Sequence, residues 1–164
     1  MTDDGKYKIL FVCLGNICRS PAAQGVMQAV VDDAGASALW HIDSAGTGRY
    51  HIGQLPDSRM RRAGRARGYE FDHRCRQVEA ADFARFDMVV AMDDSNYADL
   101  RRIAPSPEAE RKIVRMSRFL TDFPHYDHVP DPYYEGAEGF ELVLDMLQSA
   151  CQKIYTCVSQ TKNQ

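Results

Sequence analysis

Four short apolar runs punctuate the chain, at residues 8–12, 40–44, 87–92 and 112–116. They are rich in Val, Ile and Met and do not alternate strictly with polar residues, which is the pattern of strands covered on both faces. Between them, apolar positions recur at helical spacing over 21–34, 57–67, 95–103 and 139–159, with a shorter stretch at 79–86. Asp57 reads as an N-cap, and Gly35 and Gly68 read as C-terminal stops. Pro21 suits a first helical position, with Ser20 as the N-cap before it. Strands and helices alternate, so the expected fold class is α/β with a parallel sheet. In such sheets ligands bind at the carboxyl ends of strands. Two segments, 45–56 and 121–138, fit neither pattern. The second carries Pro124, Pro130 and Pro132 among aromatic and His side chains, and long loops of that kind tend to be functional or mobile.

Composition narrows the picture. The 164 residues contain no repeat and no linker-like shift, which predicts one domain spanning 1–164. A net charge of −3 gives no overall attraction for nucleic acid or an anionic membrane, so any anion binding has to be local. No apolar run reaches the length of a membrane-spanning helix, and the charged start (Asp3, Asp4, Lys6) is unlike a signal peptide. The five cysteines are odd in number and form no disulfide framework. A reducing cytoplasm is the expected compartment, with export lacking a classical signal left open.

The chemistry concentrates in Val12-Cys13-Leu14-Gly15-Asn16-Ile17-Cys18-Arg19-Ser20-Pro21, between the first strand and the first helix. The residues from Cys13 to Arg19 are enough to curl into a ring of backbone N–H groups. A concave N–H ring at a helix N-terminus is an anion site. The Arg19 fork suits a tetrahedral oxyanion such as phosphate. Cys13 in the floor of that cup is a nucleophile facing phosphorus, since ring, helix and Arg19 all favour its thiolate. Ser20 is placed to donate to the sulfur, and Asn16 is the residue best suited to a left-handed turn. Leu14 and Ile17 add apolar contacts at the rim. Cys18 is near enough to pair with Cys13 on oxidation, a reversible protection of the thiol.

An ester leaving group also needs a proton. Asp131, held extended by Pro132, is one candidate; Asp122, Asp127, Asp93 and Asp94 compete with it. His125 and His128 with Asp122 and Asp127 match no standard metal spacing, and the chemistry needs neither metal nor cofactor. The basic run Arg59, Arg61, Arg62, Arg65 and Arg67 reads as a solvated helix face or as a docking surface for acidic phosphoproteins. Cys151 and Cys157 read as core filler.

The cup sequence, together with Asp43-Ser44-Ala45-Gly46-Thr47, Arg76-Gln77-Val78, Met92-Asp93-Asp94-Ser95-Asn96 and Asp131-Pro132-Tyr133, resembles the low molecular weight protein tyrosine phosphatases over nearly the whole chain. The resemblance implies a three-layer α/β/α fold with a central four-stranded parallel sheet and the phosphate-binding loop after the first strand. It implies Cys13 as nucleophile, Arg19 as phosphate clamp and Asp131 as general acid and base. By the same resemblance Ser44 and His73 join Asn16 in supporting the loop. Tyr133 and Tyr134 form an aromatic pair beside the site that can itself be phosphorylated. Tyr50 stands at the variable wall of the substrate pocket. The chain departs from frequent family residues at Leu55, where proline is common, and at Cys75, where alanine is common. Phosphotyrosine-containing proteins are the expected partners, met by a monomer or weak dimer. Two other readings compete. Arsenate reduction on this fold requires a mid-chain Cys pair, where only Cys75 occurs, and a non-catalytic phosphotyrosine-binding module needs neither the thiol nor the acid.

Overall fold

The computed structural model describes residues 4–133 and 136–162. Its centre is a sheet of four parallel strands: β1 (Tyr7–Cys13), β2 (Trp40–Gly46), β3 (Met88–Ala91) and β4 (Ile113–Arg115), in the order β2-β1-β3-β4. Successive residues of a strand point to opposite faces, and β1 buries both. Ile9, Phe11 and Cys13 join one apolar cluster, while Leu10 and Val12 join the other. The first cluster is shared with helices α1 (Arg19–Asp33), α2 (Ser58–Ala66) and α6 (Ala137–Lys162). The second is covered by α3 (Asp82–Arg85), α4 (Asp94–Ile103) and α5 (Pro107–Glu110). Helices therefore cover both sheet faces, as the three-layer expectation requires.

Helix α6 buries Phe140, Val143, Leu144, Leu147, Ala150, Cys151, Ile154 and Val158, a stripe at helical spacing laid against α1 and α2. Phe71 fills the gap between α1 and α2. A Cβ on Gly25 would come within 2.5 Å of its ring, and one on Gly64 closer still. Arg67, expected on a basic face, instead donates to Asp145 Oδ1 (2.9 Å) and Gln148 Oε1 (2.8 Å), and so ties the end of α2 to α6.

Several boundaries differ from the sequence expectation. Helix α1 starts at Arg19, so Cys18 and not Ser20 is its N-cap, and Pro21 sits in the first turn, where its missing N–H is still spare. The helical stretch expected over 79–86 contracts to α3. Its Asp82 carboxylate accepts from Glu79 N (2.8 Å) in the turn before it. Helix α5 was not anticipated, although Ser106-Pro107 with Glu108 and Glu110 is a helix-start signature; Ser106 Oγ accepts from Ala109 N (3.1 Å). The Asp57 cap holds, accepting from Arg59 N (2.8 Å), and Gly35 and Gly68 take the positive φ expected of helix stops. Cys151 is buried as expected, but Cys157 is exposed and fills no core.

Candidate active site

Strand β1 pairs with β2 on one side and β3 on the other, while the chain leaves β1 for α1 and β2. The carboxyl end of β1 is thus the point where connections diverge to opposite sides of the sheet, where α/β folds place ligands. Cys13 is the last residue of β1, paired with Gly46, and Arg19 opens α1. The intervening loop is held from outside. Cys13 O accepts from Thr47 N (3.0 Å), Leu14 O from Gly48 N (2.9 Å), Ile17 O from Asp57 N (2.8 Å) and Cys18 O from Ala22 N (3.3 Å). A planar trans peptide points its C=O and the following N–H in opposite directions. Drawing these carbonyls outward turns the N–H groups of Leu14, Gly15, Cys18 and Arg19 to the inside. Among the described residues, no N–H from Leu14 to Arg19 has a protein acceptor.

Asn16 makes the turn with φ 57°, the one non-glycine in the left-handed region among the described residues. Its buried side chain is the hub behind the loop. Nδ2 donates to Ser20 Oγ (2.8 Å) and Ser44 Oγ (3.0 Å), and Oδ1 accepts from Arg76 N (3.0 Å). Ser44 Oγ donates onward to Gln24 Oε1 (2.6 Å). Ser20 Oγ also lies 3.0 Å from Cys13 Sγ, from where its hydroxyl can reach the sulfur. His73, expected beside Asn16, makes no hydrogen bond to it among the described residues. Its Nδ1 lies 3.6 Å from Asp43 Oδ1. Burial holds that imidazole below its ordinary pKa; Asp43 opposes the shift and Arg76 reinforces it.

Arg19 is 3% exposed. Its Nη1 donates to Asp93 Oδ2 (2.7 Å) and to Val129 O (3.0 Å), and Nη2 lies 3.7 Å from Asp131 Oδ2. Burial alone would lower its pKa, but the Cys13 sulfur and the two carboxylates outweigh that and raise it. The guanidinium therefore stays charged and aimed. Cys18 is 4% exposed, and burial pushes its thiol up, aided by Asp57, Cys13 and Asp131.

Tertiary structure also separates the competing carboxylates. Asp93 is bound to Arg19 and caps α4 through Asn96 N (2.8 Å). Asp94 accepts from Arg115 Nε (2.7 Å), Asp122 pairs with Lys153 Nζ (2.6 Å), and Asp127 pairs with the neighbouring His128. Asp131 alone of the five lines the pocket over the loop, with Cys13, Leu14, Gly15, Ile17, Cys18, Arg19, Tyr50, His51 and Tyr133. Its Oδ1 accepts from Tyr133 N (3.0 Å), a short turn that presents the carboxylate while leaving it 44% exposed. Tyr50 is 89% exposed and Tyr133 38% exposed. Tyr134 lies outside the described residues. Among the described residues no cluster of three metal-ligating side chains occurs.

Two contributors were given no role from the sequence, although Gly46 stands in the Asp43 to Thr47 motif. His51 lines the mouth, and a Cβ on Gly15 would come 3.2 Å from its ring. Gly46 lies against the loop, where a Cβ would sit 2.7 Å from Leu14 O and 3.1 Å from Asn16 N. Such an arrangement can hold a tetrahedral oxyanion against a thiol, with a carboxyl group on the open side.

Known proteins are similar to this chain in sequence and fold. The family model described as low molecular weight phosphotyrosine protein phosphatase matches residues 8–164. The chain is 41% identical over 155 residues to the low molecular weight protein-tyrosine-phosphatase of Streptomyces coelicolor, covering 94% of both. It is 37% identical over 153 residues to the human low molecular weight phosphotyrosine protein phosphatase, covering 93% of this chain and 96% of that one. A crystal structure of a protein tyrosine phosphatase from Entamoeba histolytica superposes with a TM-score of 0.92 at 44% identity, covering 96% of this chain and 99% of that one.

Proposed function

The chain belongs to the low molecular weight phosphotyrosine protein phosphatase family, and from that premise we infer how its residues divide the hydrolysis of phosphotyrosine. The Cys13 thiolate attacks phosphorus in line with the departing phenol oxygen. The S–P bond forms as the P–O bond breaks, and Asp131 gives its proton to the leaving oxygen. Arg19 and the inward N–H groups of the loop hold the equatorial oxygens, where charge is greatest in the transition state. Asp131, now a carboxylate, takes a proton from water as that water attacks the phosphocysteine. The S–P bond breaks, inorganic phosphate leaves, and the Ser20 hydroxyl donates to the departing sulfur.

One observation carries this reading: Cys13 and Asp131, separated by more than a hundred residues, line the same pocket as Arg19, whose Nη2 lies 3.7 Å from Asp131 Oδ2. Tyr50 and Tyr133 line that pocket too, and they supply apolar walls for a phenyl ring. The same wall extends to Leu14 and Ile17 at the rim. Reduction of arsenate is disfavoured, because that relay needs a mid-chain cysteine pair and Cys75, which is buried, stands there without a second cysteine. Phosphotyrosine-bearing proteins are the substrates, and a reducing cytoplasm is the setting that keeps Cys13 a thiol. No described helix is long and apolar enough to cross a membrane.

Rapid mixing with an aryl phosphate tests the scheme. The expected result is a burst of phenol equal to the enzyme concentration, followed by slower steady turnover, with acid-labile, alkali-stable phosphate on Cys13 in protein quenched with denaturant. Cys13→Ser should reduce turnover to background; a serine variant that still turns over would remove Cys13 from the nucleophile's role.

A further inference from the structure

Of the loop carbonyls that face outward, those of Cys13, Leu14, Ile17 and Cys18 accept from main-chain N–H groups. The carbonyl of Asn16 is different: it accepts from a side chain, the Cys75 thiol, at 2.7 Å. Asn16 is also the residue with the least comfortable backbone in the loop, at φ 57°. The peptide that joins it to Ile17 therefore has the weakest main-chain reason to keep its orientation. Were that peptide to flip, a carbonyl would replace the Ile17 N–H on the cup's inner side and repel an anion.

Cys75 is well placed to prevent this. It is 3% exposed, and burial keeps the thiol protonated and so able to donate. Its own backbone is fixed, with Cys75 N donating to Gln54 O (2.8 Å) and Cys75 O accepting from Gly53 N (2.8 Å). The next residue continues the grip, since Arg76 N donates to Asn16 Oδ1 (3.0 Å). The Arg76 guanidinium is itself pinned between Asp43 Oδ2 (2.9 Å) and the fully buried Asp82 (3.0 Å). The thiol thus hangs from a rigid strut directly behind the turn.

We propose that Cys75 is a positioning residue of the phosphatase site: its S–H donates to Asn16 O and thereby keeps the Ile17 N–H directed at the bound phosphate. The proposal rests on the phosphatase reading above. It makes the loop a two-state element in which Cys75 favours the competent state. Ligand affinity then scales with the competent fraction, whereas turnover of the bound complex does not. Losing one buried hydrogen bond shifts such an equilibrium by about three- to tenfold.

The test compares wild type, Cys75→Ala and Cys75→Ser, with inorganic phosphate as competitive inhibitor and phenyl phosphate as substrate. In Cys75→Ala, the inhibition constant for phosphate and the KM should rise together, by up to about three- to tenfold, while kcat holds. Cys75→Ser, whose hydroxyl can donate to the same carbonyl, should restore both constants to near wild type. Urea midpoints recorded alongside separate this from loss of fold; were the alanine variant not to fold, the serine variant alone decides. A serine variant as weak as alanine, an alanine variant with wild-type phosphate affinity, or a fall in kcat at constant KM would each overturn the proposal. Failure of the phosphatase reading looks different: no turnover in any of the three proteins, wild type included.

Discussion

The loop of residues 13–19 and the segment that carries Asp131 are two halves of one site, built in opposite ways. In the loop, Cys13, Asn16, Ile17, Cys18 and Arg19 are buried, and five carbonyls are bound from outside. Around Asp131 the chain is mostly exposed. It is tied to the rest through Val129, whose N–H donates to Met92 O (2.9 Å) and whose carbonyl receives Arg19, and through the buried ring of Pro132. The difference follows from the tasks. A group that stabilises developing charge works best when it is already fixed before the reaction. A group that first gives a proton to a leaving oxygen and then takes one from water has to remain open to solvent. The loop is accordingly part of the sheet's core, and the acid stands on a turn at its rim. Arg19 is the hinge between them, with contacts to both.

The contrast can be broken from either side. Asp131→Ala should show the largest effect, a fall of about 10²–10⁴ in kcat/KM with phenyl phosphate, the parameter that reports formation of the phosphocysteine. With a substrate whose phenol leaves without protonation, the fall should be much smaller. Equal losses on the two substrates, compared at one pH, would take Asp131 out of the acid's role. Gly46→Ala attacks the other half. Its new Cβ meets the backbone of Leu14 and Asn16, which have no room to yield, so the cup is displaced. We expect about a 10²-fold loss of kcat/KM, the same for good and poor leaving groups, since the defect lies in phosphate placement. A loss that depended on the leaving group would show that the loop and the acid are less separable than drawn here.

Smaller effects probe the connections. Asp93→Asn removes the charge that fixes Arg19 but leaves an oxygen to cap α4. Phosphate affinity, measured by competitive inhibition, should weaken by about tenfold, the worth of one charge-assisted hydrogen bond. Unchanged affinity would mean that Val129 O alone orients the guanidinium. The smallest effect concerns pH. His73 has a folded-state pKa below its ordinary 6.5 because it is buried. The unfolded chain therefore binds the proton more readily, and the stability His73 contributes is complete above about pH 6.5 and lost as pH falls through the lower folded-state value. Urea midpoints of wild type should drop more steeply between about pH 6.5 and 5 than those of His73→Gln. Parallel slopes would show that the imidazole titrates alike in both states.

How much of this could be read in advance depends on distance along the chain. Cys13, Gly15, Asn16 and Arg19 announce a strand, a left-handed turn and a helix start within seven residues, and local conformation follows local sequence. The parallel sheet was equally plain, because strands buried on both faces leave unbroken apolar runs such as 8–12. Details a few residues wide were less so. Ser20 looked like a helix cap by position, yet it lies inside the first turn with its hydroxyl at the sulfur. The Arg59 to Arg67 run looked like a solvated face, but Arg67 is spent on α6.

The sequence by itself determined that a thiol, a guanidinium and a ring of amides would share one cup at the end of the first strand. The physical reason is that seven consecutive residues keep these groups close to one another, although partners such as Thr47, Gly48 and Asp57 fix the carbonyls that turn the amides inward. Only the tertiary structure decided which of five aspartates faces that cup, that Asp93 is bound to Arg19, and that a thiol at position 75 reaches the back of the loop. Arg19 meets Val129 across 110 positions, and Cys75 meets Asn16 across 59. Contacts at such separations are set by how strands and helices pack, and no spacing rule along the chain encodes them.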